Sequence, residues 1–500
     1  MLNLKEKRER GERERELHLT SPSPLALSLS LSLSLSLQCW DWYGANGDEF
    51  FDTKSGVQLN WLLDMMIDLR APPPQRSEEP ADDWTLRLLT DAAKATGAVC
   101  LDGSPPGYYI RPGVGADARK FKIHFKGGGW CLDDASCYAR SQGWLGSSKT
   151  WGAKPATGHD ATHNPSEGTF GLLSNASDNP LQNWTAIFVE YCDGTSYTSE
   201  RAAPVIIAPG KTIYYRGKRI FDALVDDWLA SGGMDSATDV VMSGTSAGGL
   251  TCYLHAEALR RRLPKATKLW AVPDAGFFLD LPNADGVNAW RTTLNGGFAA
   301  WNGTGNTPSS CLAAYREPED QWHCHFPNYI LPLVKSVPFF VMNSLYDSFQ
   351  IGNILQLPCT PVAPKIHRQS GVELSHQRAV SSTAEIETET ALSHGEKKPA
   401  CNATQLETLQ NYRDAFLKNA SAILALKTND GAALTGCLQH EEICRDEDFM
   451  GITFPSKQTP SQLVQLWMTQ DASMTQQQIL AVDVRWPNSA SCWVGDHGFC

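Results

Sequence analysis

The sequence predicts an α/β fold: a mostly parallel sheet flanked by helices and interrupted by loop insertions. Three observations lead there. Short apolar runs of strand character alternate with helical runs, as in successive βα units. One of these, Val240-Val241-Met242, enters Ser243-Gly244-Thr245-Ser246-Ala247-Gly248-Gly249-Leu250, and a helical run from Leu250 to Leu263 follows at once. A Gly-x-Ser-x-Gly pentapeptide therefore sits on a strand–turn–helix junction, where a sharp turn lifts a serine hydroxyl clear of a sheet. Finally, 500 residues with 42% hydrophobic and 20% charged content suffice for one large α/β domain with insertions.

The elements follow in chain order. Residues 1–50 read as a leader: Pro24 to Leu37 alternates Leu with Ser and ends near Gln38-Cys39, like a signal-peptide core. That run is too short to span a membrane. The preceding Lys5 to Glu16 mixes basic residues with almost as many Glu, unlike the plainly basic flank of a usual signal. Residues 71–82 form a polar, Pro-rich break, and the catalytic domain is placed at 83–500. Within it, Phe121 to Phe125 reads as a strand before the glycine loop Lys126-Gly127-Gly128-Gly129-Trp130-Cys131. Ala186 to Val189 is a strand before Glu190-Tyr191-Cys192-Asp193-Gly194, and Ile220 to Leu229 is a helix. Leu269 to Val272 and Val337 to Met342 complete the strand candidates. Residues 362–400 are polar and read as a surface insertion or lid. No internal repeat is visible, and no other stretch is long and apolar enough to cross a bilayer.

A net charge of −12 argues against nucleic acid and against an anionic membrane surface as partners. The fourteen cysteines have neither zinc-finger spacing nor a Cys-x-x-Cys pair, and read as disulfides of an oxidising compartment. Sequons at Asn175, Asn183, Asn302, Asn402 and Asn419 point the same way, to N-glycans and secretion. In His323-Cys324-His325 the cysteine reads as a disulfide partner more readily than as a metal ligand. Neither a metal nor an organic cofactor is expected.

A serine alcohol becomes a nucleophile only when a base takes its proton and an acid orients that base. In α/β-hydrolases the chain order is Ser, then Asp or Glu, then His. After Ser246, Asp347 follows a late strand. For the base, His367, His376, His394, His440 and His497 all qualify by order. The tetrahedral intermediate also needs amide donors for its oxyanion. Ala247, the residue after the nucleophile, and the glycine loop at 127–129 occupy the places such donors take.

From about Cys100 onward the chain resembles the pectin acetylesterase family, which also contains the Notum-type carboxylesterases. The likeness rests on Cys100 to Tyr108, Gly127-Gly128-Gly129-Trp130-Cys131, Tyr191 to Ser196, and Arg216 to Ile220. It continues through Gly244 to Leu250, Asp274-Ala275-Gly276-Phe277-Phe278 and Tyr346 to Ile351. The resemblance implies an α/β-hydrolase fold, secretion with disulfides, and a Ser246–Asp347–His440 triad. It also implies an oxyanion hole of Gly128, Gly129 and Ala247. Three glycines before Trp130 and the Asp-Ala-Gly-Phe-Phe run look like the plant-type deacetylases, whereas Cys437-Leu438-Gln439-His440-Glu441 looks closer to the Notum side. The insertion and the tail beyond Ser456 depart from both. The expectation is a secreted serine carboxylesterase acting on O-acetyl groups of cell-wall polysaccharide. The alternatives are a Notum-like fatty-acyl esterase of proteins, a lipase-like enzyme, and an inactive glycan-binding relative.

Overall fold

A computed structural model describes residues 84–152, 171–362, 398–427, 429–470, 479–489 and 492. The leader, the Pro-rich break, most of the 362–400 insertion, and His367, His376, His394 and His497 lie outside the described residues.

The strands are β1 (Thr85–Leu88), β2 (Gly107–Arg111), β3 (Lys120–Phe125), β4 (Thr185–Val189), β5 (Val205–Ala208) and β6 (Lys211–Ile213). They continue as β7 (Asp239–Thr245), β8 (Lys268–Asp274), β9 (Phe340–Ser344), β10 (Gly431–Thr435) and β11 (Leu480–Val482). Nine of them form one sheet in the order β1-β2-β4-β3-β7-β8-β9-β10-β11, while β5 and β6 make a separate antiparallel pair. β2 runs antiparallel to both its neighbours, and every pairing from β4 to β11 is parallel. This is the mixed, mostly parallel sheet flanked by helices that the sequence predicts.

The central strands are buried on both faces, as parallel strands covered by helices must be, and so they read as continuous apolar runs. β3 breaks that pattern with Lys122 and His124, both buried. Lys122 Nζ donates to Ser174 O at 2.9 Å, and His124 Nδ1 meets Ser243 Oγ of β7 at 3.0 Å. Each interior polar group thus has a partner, as burial requires. The expected helices occur as Gly217–Ala230 and Ala247–Arg262. Strands β1, β2, β5, β6, β10 and β11 are additions to those predicted, and the strand expected at Val337–Met342 begins only at Phe340.

Helix Ala247–Arg262 presses against the strand ends closely enough to exclude side chains. A Cβ at Gly248 would fall 2.0 Å from Phe125 O, and one at Gly249 would fall 2.4 Å from Asp274 O. The glycines flanking Ser246 are therefore demanded by backbone-to-backbone packing of the helix on β3 and β8.

Disulfides pin the loops at the carboxyl ends of the strands. Cys131–Cys137 ties the glycine loop to helix Asp134–Ser141, and Cys100–Cys192 joins the approach to β2 to the loop after β4. Cys437–Cys492 anchors the segment just before His440, and Cys359–Cys401 staples the two ends of the polar insertion. Cys324 is bonded to Cys311, which disposes of the His323-Cys324-His325 metal reading. His325 instead stacks on Phe298 with ring centroids 3.8 Å apart.

Candidate active site

Ser246 stands between β7 and helix Ala247–Arg262 with φ 53° and ψ −120°. Such a positive φ is unfavourable for a residue with a Cβ and persists only where the surroundings enforce it. Here the Ser246 amide donates to Asp274 O at 3.0 Å and the glycine contacts close the turn. Ser246 is buried.

Asp347 lies three residues beyond β9 and caps helix Ser348–Asn353, its Oδ1 accepting from the Gln350 amide at 2.9 Å. Its Oδ2 is paired with His440 Nδ1 at 2.9 Å and also accepts from Asn343 Nδ2 at 3.2 Å. Cap and clamp together fix the carboxylate, which in turn fixes the imidazole. Phe349 covers the His440 ring with centroids 5.4 Å apart. Burial pushes the His440 pKa down, but Asp347, then Glu441 and Asp274, more than reverse this and raise it to about 9.

Gly127 connects the histidine to the serine. A Cβ built on it would lie 2.9 Å from Glu441 Oε1 and 3.1 Å from Ser246 Cβ, so both residues flank one point. Glu441 Oε1 is 4.0 Å from His440 Nε2. Ser246, His440 and Asp347 thus belong to one buried cluster.

The glycine loop is held by its carbonyls. Gly128 O accepts from Arg140 Nη1 at 2.8 Å and Gly129 O from the Tyr191 hydroxyl at 3.0 Å. Among the described residues no hydrogen bond takes up the amides of Gly128, Gly129 or Ala247. Ala247 opens the helix after Ser246, where unused amides and the helix dipole favour an anion. Gly128 and Gly129 have φ of 124° and 63°, and a Cβ at Gly129 would meet nothing within 4 Å.

A brace that sequence reasoning assigned no role links this loop to the nucleophile turn. Ser196 Oγ donates to Ala247 O at 2.8 Å and accepts from Trp130 Nε1 at 2.8 Å. The Ser196 amide donates to Tyr191 OH at 3.0 Å, and His255 Nε2 bonds Ser196 O at 3.0 Å. Asp193 Oδ2 shapes the turn, accepting from the amides of Thr195 and Tyr197. Burial pushes the Asp193 carboxyl up to about 6 against those bonds. The run Tyr191 to Ser196 carried the family resemblance, and that was the one available signal.

Further carboxylates gather near His440. Asp274 Oδ2 accepts from the amides of Glu442 at 2.5 Å and Ile443 at 2.8 Å, fixing the chain beyond the histidine. Burial raises Asp274 to about 7 and lifts Glu442 well above the usual carboxylate range. Phe349, which covers the histidine, belongs to a group of four rings with Trp130, Phe278 and Trp290 whose centroids lie 5.1–6.2 Å apart.

Among the described residues, Cys437, Asp483 and Cys492 are the one grouping close enough for metal ligation, and their sulfurs are joined in a disulfide. A cavity of about 650 Å³ lined by Asp133, Asp134, Arg201 and Asn302 shares no residue with the cluster around Ser246.

A family model described as Pectinacetylesterase matches residues 77–493, beginning earlier than the expected Cys100 and running through the tail beyond Ser456. Pectin acetylesterase 11 of Arabidopsis thaliana is 32% identical over 352 residues, covering 70% of this chain and 78% of its own length. Palmitoleoyl-protein carboxylesterase NOTUM of Schmidtea mediterranea is more distant, 27% identical over 323 residues, with 62% of this chain and 56% of its own length covered. Among solved structures, the Wnt deacylase Notum from Drosophila superposes with a TM-score of 0.61 at 18% identity. The alignment covers 82% of this chain and 99% of that one, a likeness of fold.

Proposed function

The chain belongs to the pectinacetylesterase family and is a carboxylic ester hydrolase, and on that premise we propose that it removes O-acetyl groups from a cell-wall polysaccharide through Ser246, His440 and Asp347. The observation that carries this reading is the buried His440–Asp347 pair, 2.9 Å long, set beside the strained Ser246 turn. In the proposed cycle His440 Nε2 takes the Ser246 proton as Oγ attacks the ester carbonyl. Asp347 stabilises the resulting imidazolium, and the Gly128, Gly129 and Ala247 amides receive the oxyanion. The sugar hydroxyl departs with the proton from His440, leaving an acetyl ester on Ser246 that water then hydrolyses.

The four-ring cluster supports a short acyl group, because Trp130, Phe278 and Trp290 pack on one another and on Phe349, the ring that covers His440. A Notum-like preference for a long acyl chain would need that cluster to part. Secretion is part of the proposal. Disulfides at Cys100–Cys192, Cys311–Cys324 and Cys359–Cys401 suit an oxidising compartment, and sequons Asn175, Asn183, Asn302 and Asn402 are exposed. No helix among the described residues is long and apolar enough to cross a membrane.

The test compares acetate release from acetylated pectin and xylan, and from p-nitrophenyl acetate and octanoate, by enzyme and by Ser246→Ala. Acetate preference lost in Ser246→Ala is the expected result. Octanoate preference would move the assignment to a Notum-like esterase, and glycan binding without turnover would leave a binding protein.

A further inference from the structure

Glu441 is a buried carboxylate on the Nε2 side of His440, the side on which serine, leaving group and water exchange protons. Three observations locate it. Its Oε1 lies 4.0 Å from His440 Nε2. The same Oε1 and Ser246 Cβ flank Gly127, next in chain to the proposed oxyanion donor Gly128. Its backbone is held left-handed, with φ 77°, while the following two amides are fixed on Asp274.

A gap of 4.0 Å is too long for a direct hydrogen bond and the right width for one oxygen atom to bond both ends. Such an oxygen, with ordinary hydrogen bonds of about 2.8 Å, would subtend an angle of roughly 90°. Water can fill that place with a hydrogen for each acceptor. An alcohol oxygen, with a single hydrogen, can satisfy only one of them.

We propose that Glu441 positions the hydrolytic water of the second half-reaction. The inference rests on the serine-esterase reading and concerns the same site. Water donates one hydrogen bond to Glu441 Oε1 and the other to His440 Nε2. As its oxygen bonds to the carbonyl carbon of the Ser246 acyl ester, His440 takes the second proton. The tetrahedral intermediate collapses, the bond from carbon to Ser246 Oγ breaks, and Oγ receives the proton from His440. Glu441 stays ionised and only holds the first hydrogen. It therefore assists water and leaves alcohol acceptors unassisted.

The experiment is rapid-mixing hydrolysis of p-nitrophenyl acetate in water and in water with methanol, for the unsubstituted enzyme, Glu441→Leu and Glu441→Gln. Loss of one charge-assisted hydrogen bond is expected to slow deacylation by about 10-fold or more in Glu441→Leu. A burst of p-nitrophenol would then precede the steady state. The methanolysis-to-hydrolysis ratio should rise about as much. Glu441→Gln, which keeps the shape and a carbonyl acceptor, should fall between the two. An unchanged methanol-to-water ratio in both variants, with acylation and deacylation slowed alike, would overturn the inference and leave the esterase reading intact. No ester turnover by the unsubstituted enzyme would overturn the esterase reading itself, and this inference with it.

Discussion

His440 concentrates the chemistry proposed for this protein. Its Nδ1 is held by Asp347 Oδ2 and its ring by Phe349, so tautomer and orientation are set by neighbours on one short helix. Asp347→Asn is expected to lower kcat by about 10²–10⁴-fold, since it removes the acceptor that orients and stabilises the imidazolium. Neighbouring carboxylates outweigh burial and raise the His440 pKa from 6.5 to about 9. Two consequences follow. Hydrolysis needs the neutral base, so kcat/KM of the free enzyme should climb with pH towards about 9. The raised pKa also stabilises the fold fully below pH 6.5, and this contribution is lost as pH rises through about 9. In Asp347→Asn the kinetic pKa should fall, and a profile identical to that of the unsubstituted enzyme would refute the assignment. Ser246 and Asp347 were legible because each stands just after an apolar strand run, in the order the chemistry demands. His440 was not separable by order from four other histidines, and only the family resemblance singled it out. Glu441 and Asp274 stood in runs that carried the family resemblance but had no role assigned to them, because Asp274 nears the site only when β8 and the loop after β10 meet.

At the scale of elements, the site is a junction of loops that lie far apart in sequence. The glycine loop after β3, the turn after β4 and the start of helix Ala247–Arg262 are joined through Tyr191 and Ser196. Tyr191→Phe leaves the half-buried Gly129 O and the buried Ser196 amide without their shared hydroxyl. The expected cost is about 1–3 kcal/mol for the unsatisfied Ser196 amide and less for the carbonyl, which solvent can reach, measurable by denaturant titration. If the brace positions the oxyanion donors, kcat should fall more than KM changes. No local rule could have revealed it, since Ser196 and Ala247 are 51 residues apart. The strands expected at 121–125, 186–189, 240–242 and 269–272 matched real strands; the last three are apolar runs that reflect burial on both faces, whereas 121–125 alternates with the buried polar Lys122 and His124. β10 was harder to read, because Gly-Ala-Ala-Leu-Thr is short and made of small residues. The ends of the polar insertion are joined by Cys359–Cys401, a closure of 42 residues, expected to add about 4 kcal/mol in the chain-entropy account. Replacing both cysteines by serine should lower the unfolding midpoint without abolishing turnover of p-nitrophenyl acetate.

For the whole molecule, the fold was predictable because alternation of strands and helices is a property of the entire chain and survives local misreading. Acyl specificity was not, because in the proposed reading it depends on side chains from four places: Trp130 on the glycine loop, Phe278 after β8, Trp290 on helix Ala289–Trp301 and Phe349 on helix Ser348–Asn353. Phe278→Ala should open that cluster at a cost of about 3–5 kcal/mol in stability and shift the ratio of octanoate to acetate turnover upward. An unchanged ratio would mean that the rings do not bound the acyl group. Everything proposed for the site depends on Ser246 acting as the nucleophile. That role is tested most directly by quenching the enzyme in acid during turnover of p-nitrophenyl acetate and mapping the acetylated peptide by mass spectrometry. An acetyl group on Ser246 is expected, absent from Ser246→Ala together with acetate release. An acetyl group on another residue, or undiminished turnover by Ser246→Ala, would contradict it.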